Sequence, residues 1–293
     1  HKLGKETSFS VDVAKLYDFA KQVLSERETT RLNAENSILW QDLIKISSSP
    51  GGKRPKAIVA LNHSTGQVIS GQADIPEDFE HFILKYDDDT SYPASKLEYV
   101  YYRMALEAGV RMMPSELRSY GTVSHFLTRR FDRKHNTRIH TQTLAALSPQ
   151  SNSYEDLFGV IRKLNLPHSD IRQQYSRMAF NVMARNVDDH TKNNSFCMES
   201  NGKWSLSPAY DVTYSVEIAA PSYINRHSMS VNGKTENITL YDLEVVAKRN
   251  DIHDYKLLLE QVRDAISNFT KYAIESDIDN KWIDLIRADL RIA

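Results

Sequence analysis

Only one cysteine, Cys197, occurs in the 293 residues of this chain. That excludes an intramolecular disulfide and leaves no Cys-rich zinc site, and it fits a reducing cytoplasm. No excess of charge is present either: 37 Lys and Arg face 38 Asp and Glu, for a net charge of −1. Bulk attraction to nucleic acid or to an anionic membrane is therefore not indicated. No apolar run approaches the ~20 residues that span a bilayer, and no signal-peptide pattern opens the chain. It starts at His1 rather than Met, which suggests that its natural N-terminus lies upstream. Internal repeats and low-complexity tracts are absent. A hydrophobic content of 41% supports one two-lobed domain or two modest ones.

Apolar residues recur near helical spacing over 11–26, and a mostly polar run follows over 27–36. Next comes a loop dense in small residues, Ile46-Ser-Ser-Ser-Pro-Gly-Gly-Lys-Arg-Pro-Lys56. Strands are expected over 57–61, 67–70, 81–86, 115–120 and 123–131, with a turn over 62–66 and a helix over 97–108 that stops at Gly109. Beyond this the pattern turns helical. Asp170 to Ala184 puts Ile171, Tyr175, Met178, Ala179, Val182 and Met183 on one face, with Ser169 as cap. A hairpin is expected at Asn232-Gly233, a helix capped by Thr239 over 240–248, and helical stretches over about 252–273 and 279–290.

The chemistry concentrates in Asn186-Val-Asp-Asp-His-Thr-Lys-Asn193 and Ser207-Pro-Ala-Tyr-Asp211. An acid (Asp188), an amide (Asn193) and a second acid (Asp211) are what phosphoryl transfer from a nucleotide requires. One acid accepts the proton of the hydroxyl nucleophile, while a carboxamide and a second acid hold Mg²⁺ through hard oxygen ligands. Two other readings compete. Asp188, Asp189 and His190 are metal-ligand types, but consecutive ligands point apart and no His pair of zinc-like spacing lies close by. Asp and Asn also simply suit helix ends and turns. The glycines of the 46–56 loop suit close approach to phosphate, or a plain surface turn; the loop does not match the Walker pattern. Lys85, in an apolar strand, must either snorkel out or meet an anion. Its position after a Gly-rich loop and before a helix carrying Glu98 is the order of the lysine–glutamate pair of kinase-type enzymes.

Taken together, Asp188-x-His190-x-Lys192-Asn193, then Tyr210-Asp211, resembles the catalytic and metal-binding segment of HipA-type toxin serine/threonine kinases. The loop Ser49-Pro-Gly-Gly-Lys-Arg-Pro-Lys56 looks like that family's Gly-rich loop, and Arg130-Phe-Asp-Arg133 looks like its hinge motif. Glu98 to Gly109 is similar to the helix after its phosphate-binding lysine, and the resemblance spans about 45–290. It implies an α+β, bilobal protein-kinase-like fold, with a small β-rich N-lobe over 1–128 and a mostly helical C-lobe over 129–293.

By the same resemblance Asp188 is the catalytic base toward a protein serine or threonine, and Asn193 and Asp211 hold Mg²⁺. Ser49, Gly51, Gly52, Lys53, Lys56, Lys85, His190 and Asn193 contact ATP, and Arg129, Arg130 and Phe131 line the adenine pocket through their backbone. Ser49 aligns best with the family's autophosphorylated serine, with Ser48 and Ser47 as further candidates. Position 129 is Arg where the family often has Glu. The β-rich N-terminal subdomain of full-length members has no evident counterpart ahead of the loop, so it was removed or is a separate polypeptide.

The resulting expectation is a cytoplasmic toxin kinase of a toxin–antitoxin pair. It phosphorylates a translation component such as an aminoacyl-tRNA synthetase, under a HipB-like DNA-binding antitoxin. It meets nucleic acid only through that antitoxin and makes no membrane contact. A small-molecule phosphotransferase and a non-catalytic component of an antitoxin–DNA complex are the alternatives.

Overall fold

The computed structural model of the chain describes residues 56–87, 92–120, 123–217 and 225–291. The helix expected over 11–26 and the serine- and glycine-rich loop up to residue 55 lie outside them. Two compact units are formed, His1–Lys96 with Pro114–Arg138 and Leu97–Met113 with Ile139–Ala293. Relative to the expected division at 128/129, residues 129–138 go with the first unit and 97–113 with the second.

The first unit carries a five-stranded antiparallel sheet in the order β2-β1-β3-β5-β4. Its strands are β1 Lys56–Leu61, β2 Val68–Ser70, β3 Glu80–Lys85, β4 Ser115–Tyr120 and β5 Val123–Arg129. All five fall close to the expected spans, although β4, Ser-Glu-Leu-Arg-Ser-Tyr, has no apolar run. The β1–β2 turn is an Asn turn: Asn62 Oδ1 accepts the N–H groups of Ser64 (2.9 Å) and Thr65 (3.1 Å). At Gly71 a side chain is excluded, because a Cβ there would stand 2.5 Å from the Val59 carbonyl oxygen. Ala60, Ile69, Ile75 and Phe79 form a buried cluster, and Phe82, Leu84, Phe126 and Leu127 are also buried. A small hairpin, β6 Arg133–Lys134 with β7 Thr137–Arg138, follows β5. Asn136 in its turn fixes it by bonding both the N–H and the carbonyl of Ile75 (2.8 and 3.0 Å).

Helix α1, Ala94–Glu107, starts where the Asp87 carboxylate accepts the Ser95 N–H at 2.9 Å. It stops before Gly109, whose φ of 73° ends the helix as expected. In the second unit Tyr101 donates to the Ala184 carbonyl, and Arg103 pairs with Glu275 at 2.6 Å while lying 3.9 Å over the Tyr272 ring.

The second unit holds α2 Leu144–Leu147, α3 Tyr154–Lys163, α4 His168–Met183, α5 Leu240–Arg249, α6 Tyr255–Ser267, α7 Phe269–Glu275 and α8 Asn280–Asp289. None of the described helices is long and apolar enough to cross a membrane. Helix α4 buries all six residues of its expected apolar face, and also Gln174, Ser176 and Arg177. Its start differs from expectation. Pro167 is the cap residue, without a side-chain cap bond, and Ser169 sits inside the first turn. A proline before the helix already has a compatible φ, and Asp170 supplies the acid in the first turn. The stretch expected as one helix over 252–273 breaks at Asn268 into α6 and α7.

The cap at Thr239 is a full capping box with Asp242. The Asn232-Gly233 hairpin is also present, with φ of 50° and 78° and a Val231–Lys234 bridge. A three-stranded antiparallel sheet was not anticipated: β8 His140–Thr143, β9 Ser195–Met198 and β10 Trp204–Leu206, in the order β10-β9-β8. Strands of three or four residues are too short to display a period.

Candidate active site

In the first unit, the β1–β3 register sets Lys56 directly opposite Lys85. Paired residues of an antiparallel ladder share a face, so two ammonium-bearing side chains stand side by side on the sheet. Lys56 is half-buried and Lys85 is buried, with its Nζ 5.7 Å from the centre of the Phe126 ring. Two cationic side chains on one face are of the type that pairs with phosphate.

The expected hinge lies at the end of β5. The Arg129 N–H donates to the Pro114 carbonyl (3.0 Å) and the Arg130 N–H to the His81 carbonyl (2.9 Å). These two N–H groups are thus committed within the sheet, and an adenine edge would be read by other groups of the segment. The Arg129 side chain pairs with Glu80 at 2.9 Å. Asp132 takes a two-pronged contact from Arg130 (2.8 and 2.7 Å) and one from Arg133 (2.7 Å). Burial pushes its carboxyl up, but the Arg130 hydrogen bonds and the two guanidinium charges outweigh this and hold it below the usual range. The Arg-Phe-Asp-Arg motif is a self-neutralising clamp.

In the second unit, α4 ends at Ala184, and Arg185 takes a left-handed φ of 61° that turns the chain into Asn186–Asn193. The two neighbouring acids then part. The Asp188 side chain is 67% exposed, whereas that of Asp189 is fully buried. Asp189 accepts from Tyr154 Oη (2.7 Å), the His227 ring (3.0 Å), the Ser228 N–H (2.8 Å) and the Met229 N–H (3.4 Å). Four donors saturate it, which explains how a carboxylate is tolerated there.

A chain of hydrogen bonds returns from Asp188 to Asp189. The Asp188 N–H donates to Ser215 Oγ (2.9 Å), which donates to Asn186 Oδ1 (3.2 Å). Asn186 donates to Asn181 (3.0 Å), Asn181 to Tyr154 Oη (3.0 Å), and Tyr154 to Asp189. Every donor points the same way round and the chain ends on a charge, so each bond polarises the next. Burial and the Asp189 charge push the Tyr154 hydroxyl well above its ordinary pKa, which keeps it a donor. Tyr154, Asn181 and Ser215 of this chain, and His227 beside it, were not anticipated from sequence, because none belongs to a spacing motif; Asn186 opens the Asn186–Asn193 segment, but no role was expected of it there.

Beyond Asp188 the chain makes a 3₁₀ turn, Thr191–Asn193. Asn193 Nδ2 donates to the Asp188 carbonyl at 3.0 Å, which turns its amide oxygen the other way. His190 Nε2 is 3.8 Å from Asp188 Oδ1. Tyr210 binds on both sides of Asn193: its hydroxyl donates to the Lys192 carbonyl (2.7 Å) and meets Ser195 Oγ. Burial raises the Tyr210 pKa to about 12. Asp211 follows in a left-handed conformation, φ 53°, which Asp tolerates better than most residues. Tyr210 thus ties the segment that carries Asp211 to the turn that carries Asn193.

An amide oxygen and a carboxylate are hard donors. A magnesium ion that completes its shell with phosphates and water needs one or two such protein ligands, so this pair fits it. Among the described residues no three His, Cys, Asp or Glu side chains gather as a metal site. Close by, a cavity of about 20 Å³ is lined by Arg177, Asn186, Asp189, Asn193 and Tyr210 among others. Burial, followed by the Arg111 charge, lowers the Arg177 pKa to about 9. The serines and glycines expected to cover the phosphates (Ser47, Ser48, Ser49, Gly51 and Gly52, with Lys53) lie outside the described residues.

A family model, the HipA-like C-terminal domain, matches residues 48–274. Among solved structures, the chain is similar to HipA of Shewanella oneidensis MR-1, determined with HipB and operator DNA. The identity is 17% and the TM-score 0.66, over 98% of this chain and 70% of that one. This likeness makes the fold α+β and kinase-like. The Helicobacter pylori proinflammatory kinase CtkA also aligns, at 14% identity and a TM-score of 0.44, over 72% of this chain and 93% of that one. No curated protein matches.

Proposed function

The chain belongs to the HipA-like C-terminal domain family, and on that premise we propose that it is an ATP- and Mg²⁺-dependent protein serine/threonine kinase. One observation carries this reading: Asp188 stands exposed beside a 3₁₀ turn whose Asn193 amide is bonded to its carbonyl, and Tyr210, next to Asp211 in the chain, is bonded to the same turn.

In this reading the Asp188 carboxylate orients a substrate hydroxyl and accepts its proton as the oxygen attacks the γ-phosphorus of ATP. A new P–O bond forms, the bond to the β-phosphate oxygen breaks, and ADP leaves with that electron pair. Asn193 and Asp211 hold Mg²⁺, which when bound neutralises charge on the phosphates. Lys56 and Lys85 supply positive charge to the phosphate chain. Asp189 takes no part in proton transfer, since all its surroundings are donors directed at it.

The substrate is a protein of the translation apparatus, such as an aminoacyl-tRNA synthetase, and the biological role is that of a toxin held by a HipB-like antitoxin. Autophosphorylation at Ser49, or at Ser47 or Ser48 beside it, switches the enzyme off. A phosphate of about −1.5 to −2 charge there competes with ATP for the same cations.

The test is incubation of the chain with ATP and Mg²⁺, with and without a cell lysate, read by intact mass and by transfer of labelled γ-phosphate. Wild type should transfer phosphate to protein, and Asp188→Asn should lose at least about 10²-fold in rate with an unchanged melting temperature. Phosphate appearing only on small acceptors, or equal rates for both proteins, refutes the reading.

A further inference from the structure

We propose that His227 is a positioning residue for Asp188, acting through the buried carboxylate of Asp189. This rests on the kinase reading for its link to rate, but not for its structural part. The His227 side chain is 1% exposed and its Nδ1 lies 3.0 Å from Asp189 Oδ2. Among the described residues its Nε2 meets no hydrogen-bond partner. Burying an imidazole for the sake of one bond is expensive compared with an apolar side chain of similar volume. Stability alone does not account for a histidine here, whereas the bond it makes does have a consequence.

That consequence runs through the backbone on both sides of Asp188. The two peptide units that flank it are planar, so holding both fixes the direction in which the Asp188 side chain leaves the backbone. The preceding unit is held by the Asp188 N–H on Ser215, and the following one by the Asp188 carbonyl, which accepts from Asn193 Nδ2. Just beyond it the Asp189 carboxylate is gripped by His227, Tyr154 and two N–H groups of 228–229. The stretch 227–230 is itself anchored on both sides. Its Ser228 N–H reaches the Val187 carbonyl (3.0 Å), and its Ser230 N–H reaches the Asn152 carbonyl (3.0 Å). With the peptide held, the exposed Asp188 carboxylate retains only its own side-chain torsions. A catalytic base held this way loses little entropy on meeting a hydroxyl, and a displacement of about 1 Å is enough to cost about 10²-fold in rate.

Three variants test this. His227→Leu removes the donor. His227→Asn keeps an N–H near the Nδ1 position. Tyr154→Phe removes a different donor from the same carboxylate and serves if His227→Leu fails to fold. The expected result is a kcat lowered about 10- to 100-fold by His227→Leu and by Tyr154→Phe, with KM for ATP within about twofold, and recovery of most of the rate by His227→Asn. Hydrogen exchange of the amides over 187–193 should accelerate in the same two variants and not in His227→Asn. Unchanged exchange and unchanged kcat in a folded His227→Leu or Tyr154→Phe overturns the proposal. So does a loss of kcat that His227→Asn fails to restore. If wild type transfers no phosphate but exchange responds as stated, the kinase reading fails while the positioning role of His227 stands.

Discussion

Lowering the pH from 7 to 4 should cost the first unit about 3 kcal/mol through a single side chain, His125. The ring is fully buried in β5, and its Nδ1 accepts the Asp87 N–H at 3.0 Å. Burial drives its pKa down from 6.5 to about 4. A ring that accepts at Nδ1 is neutral, and protonation would set one N–H against another inside the sheet. Because the folded pKa lies below the unfolded one, the unfolded chain binds the proton first as pH falls. The stabilisation is therefore complete above about pH 6.5, reduced by about 2 kcal/mol at pH 5 and by about 3 kcal/mol at pH 4. The effect reaches the site, since Asp87 also caps α1 at Ser95 and Lys85 lies two residues before it. The assay is urea unfolding at half-unit pH steps for wild type and His125→Asn, whose amide oxygen can accept the Asp87 N–H without titrating. The difference between the two curves isolates the ring from other acid-sensitive groups, His81 included. An NMR titration of the His125 ring gives the pKa directly. A ring that titrates near 6.5, or a difference curve flat between pH 7 and 4, refutes the argument.

Two further outcomes follow from other parts of the chain. Asp242 is buried and accepts from Asn232 (3.0 Å), Lys234 (3.0 Å) and both the N–H and hydroxyl of Thr239 (2.8 and 2.7 Å). Asp242→Ala should cost about 3–5 kcal/mol, seen as a lower urea midpoint. Burial raises its carboxyl, but these hydrogen bonds outweigh that and hold it well below 3.8, so its contribution is present at neutral pH and fades only in strong acid. Lys56→Met and Lys85→Met should each weaken ATP binding by about 1–3 kcal/mol, measured by calorimetry with Mg²⁺ present. If both lysines act on one phosphate chain, the double variant departs from the sum of the two losses; full additivity would argue against a shared phosphate.

The sheet of the first unit was legible because four of its strands carry a short apolar run between turn formers, and Asn62 and Gly109 turn the chain as their residue types favour. Helices α1, α4, α5 and α8 were legible by period, whereas the short α2 and α3 were not anticipated. The edges failed where a local competitor won: Pro167 displaced Ser169 as the start of α4, and Asn268 cut one long helical pattern into two. The sheet β8–β10 was hidden by strand length. Its β8 also pairs with β9 from a stretch more than 50 residues away, and pairing at that distance leaves no mark in a local window.

The site was legible as a set of residue types and not as an arrangement. Lys56 and Lys85 both read as phosphate-contacting lysines, and only the register shows that they face one another. Asp188 and Asp189 are the sharper case, since they are chemically identical neighbours. Local sequence offers no reason to send one into solvent and the other into the core. The difference is made by Tyr154, His227 and two backbone N–H groups, the nearest of them 35 residues away. Those donors can satisfy one carboxylate and no more, so burying Asp189 leaves Asp188 as the acid free to meet a substrate. On this view the paired acids divide the work: one holds the peptide still so that the other can move a proton. Asp189→Asn, which keeps the shape and removes the charge, should then slow phosphate transfer almost as much as Asp188→Asn, although it is fully buried.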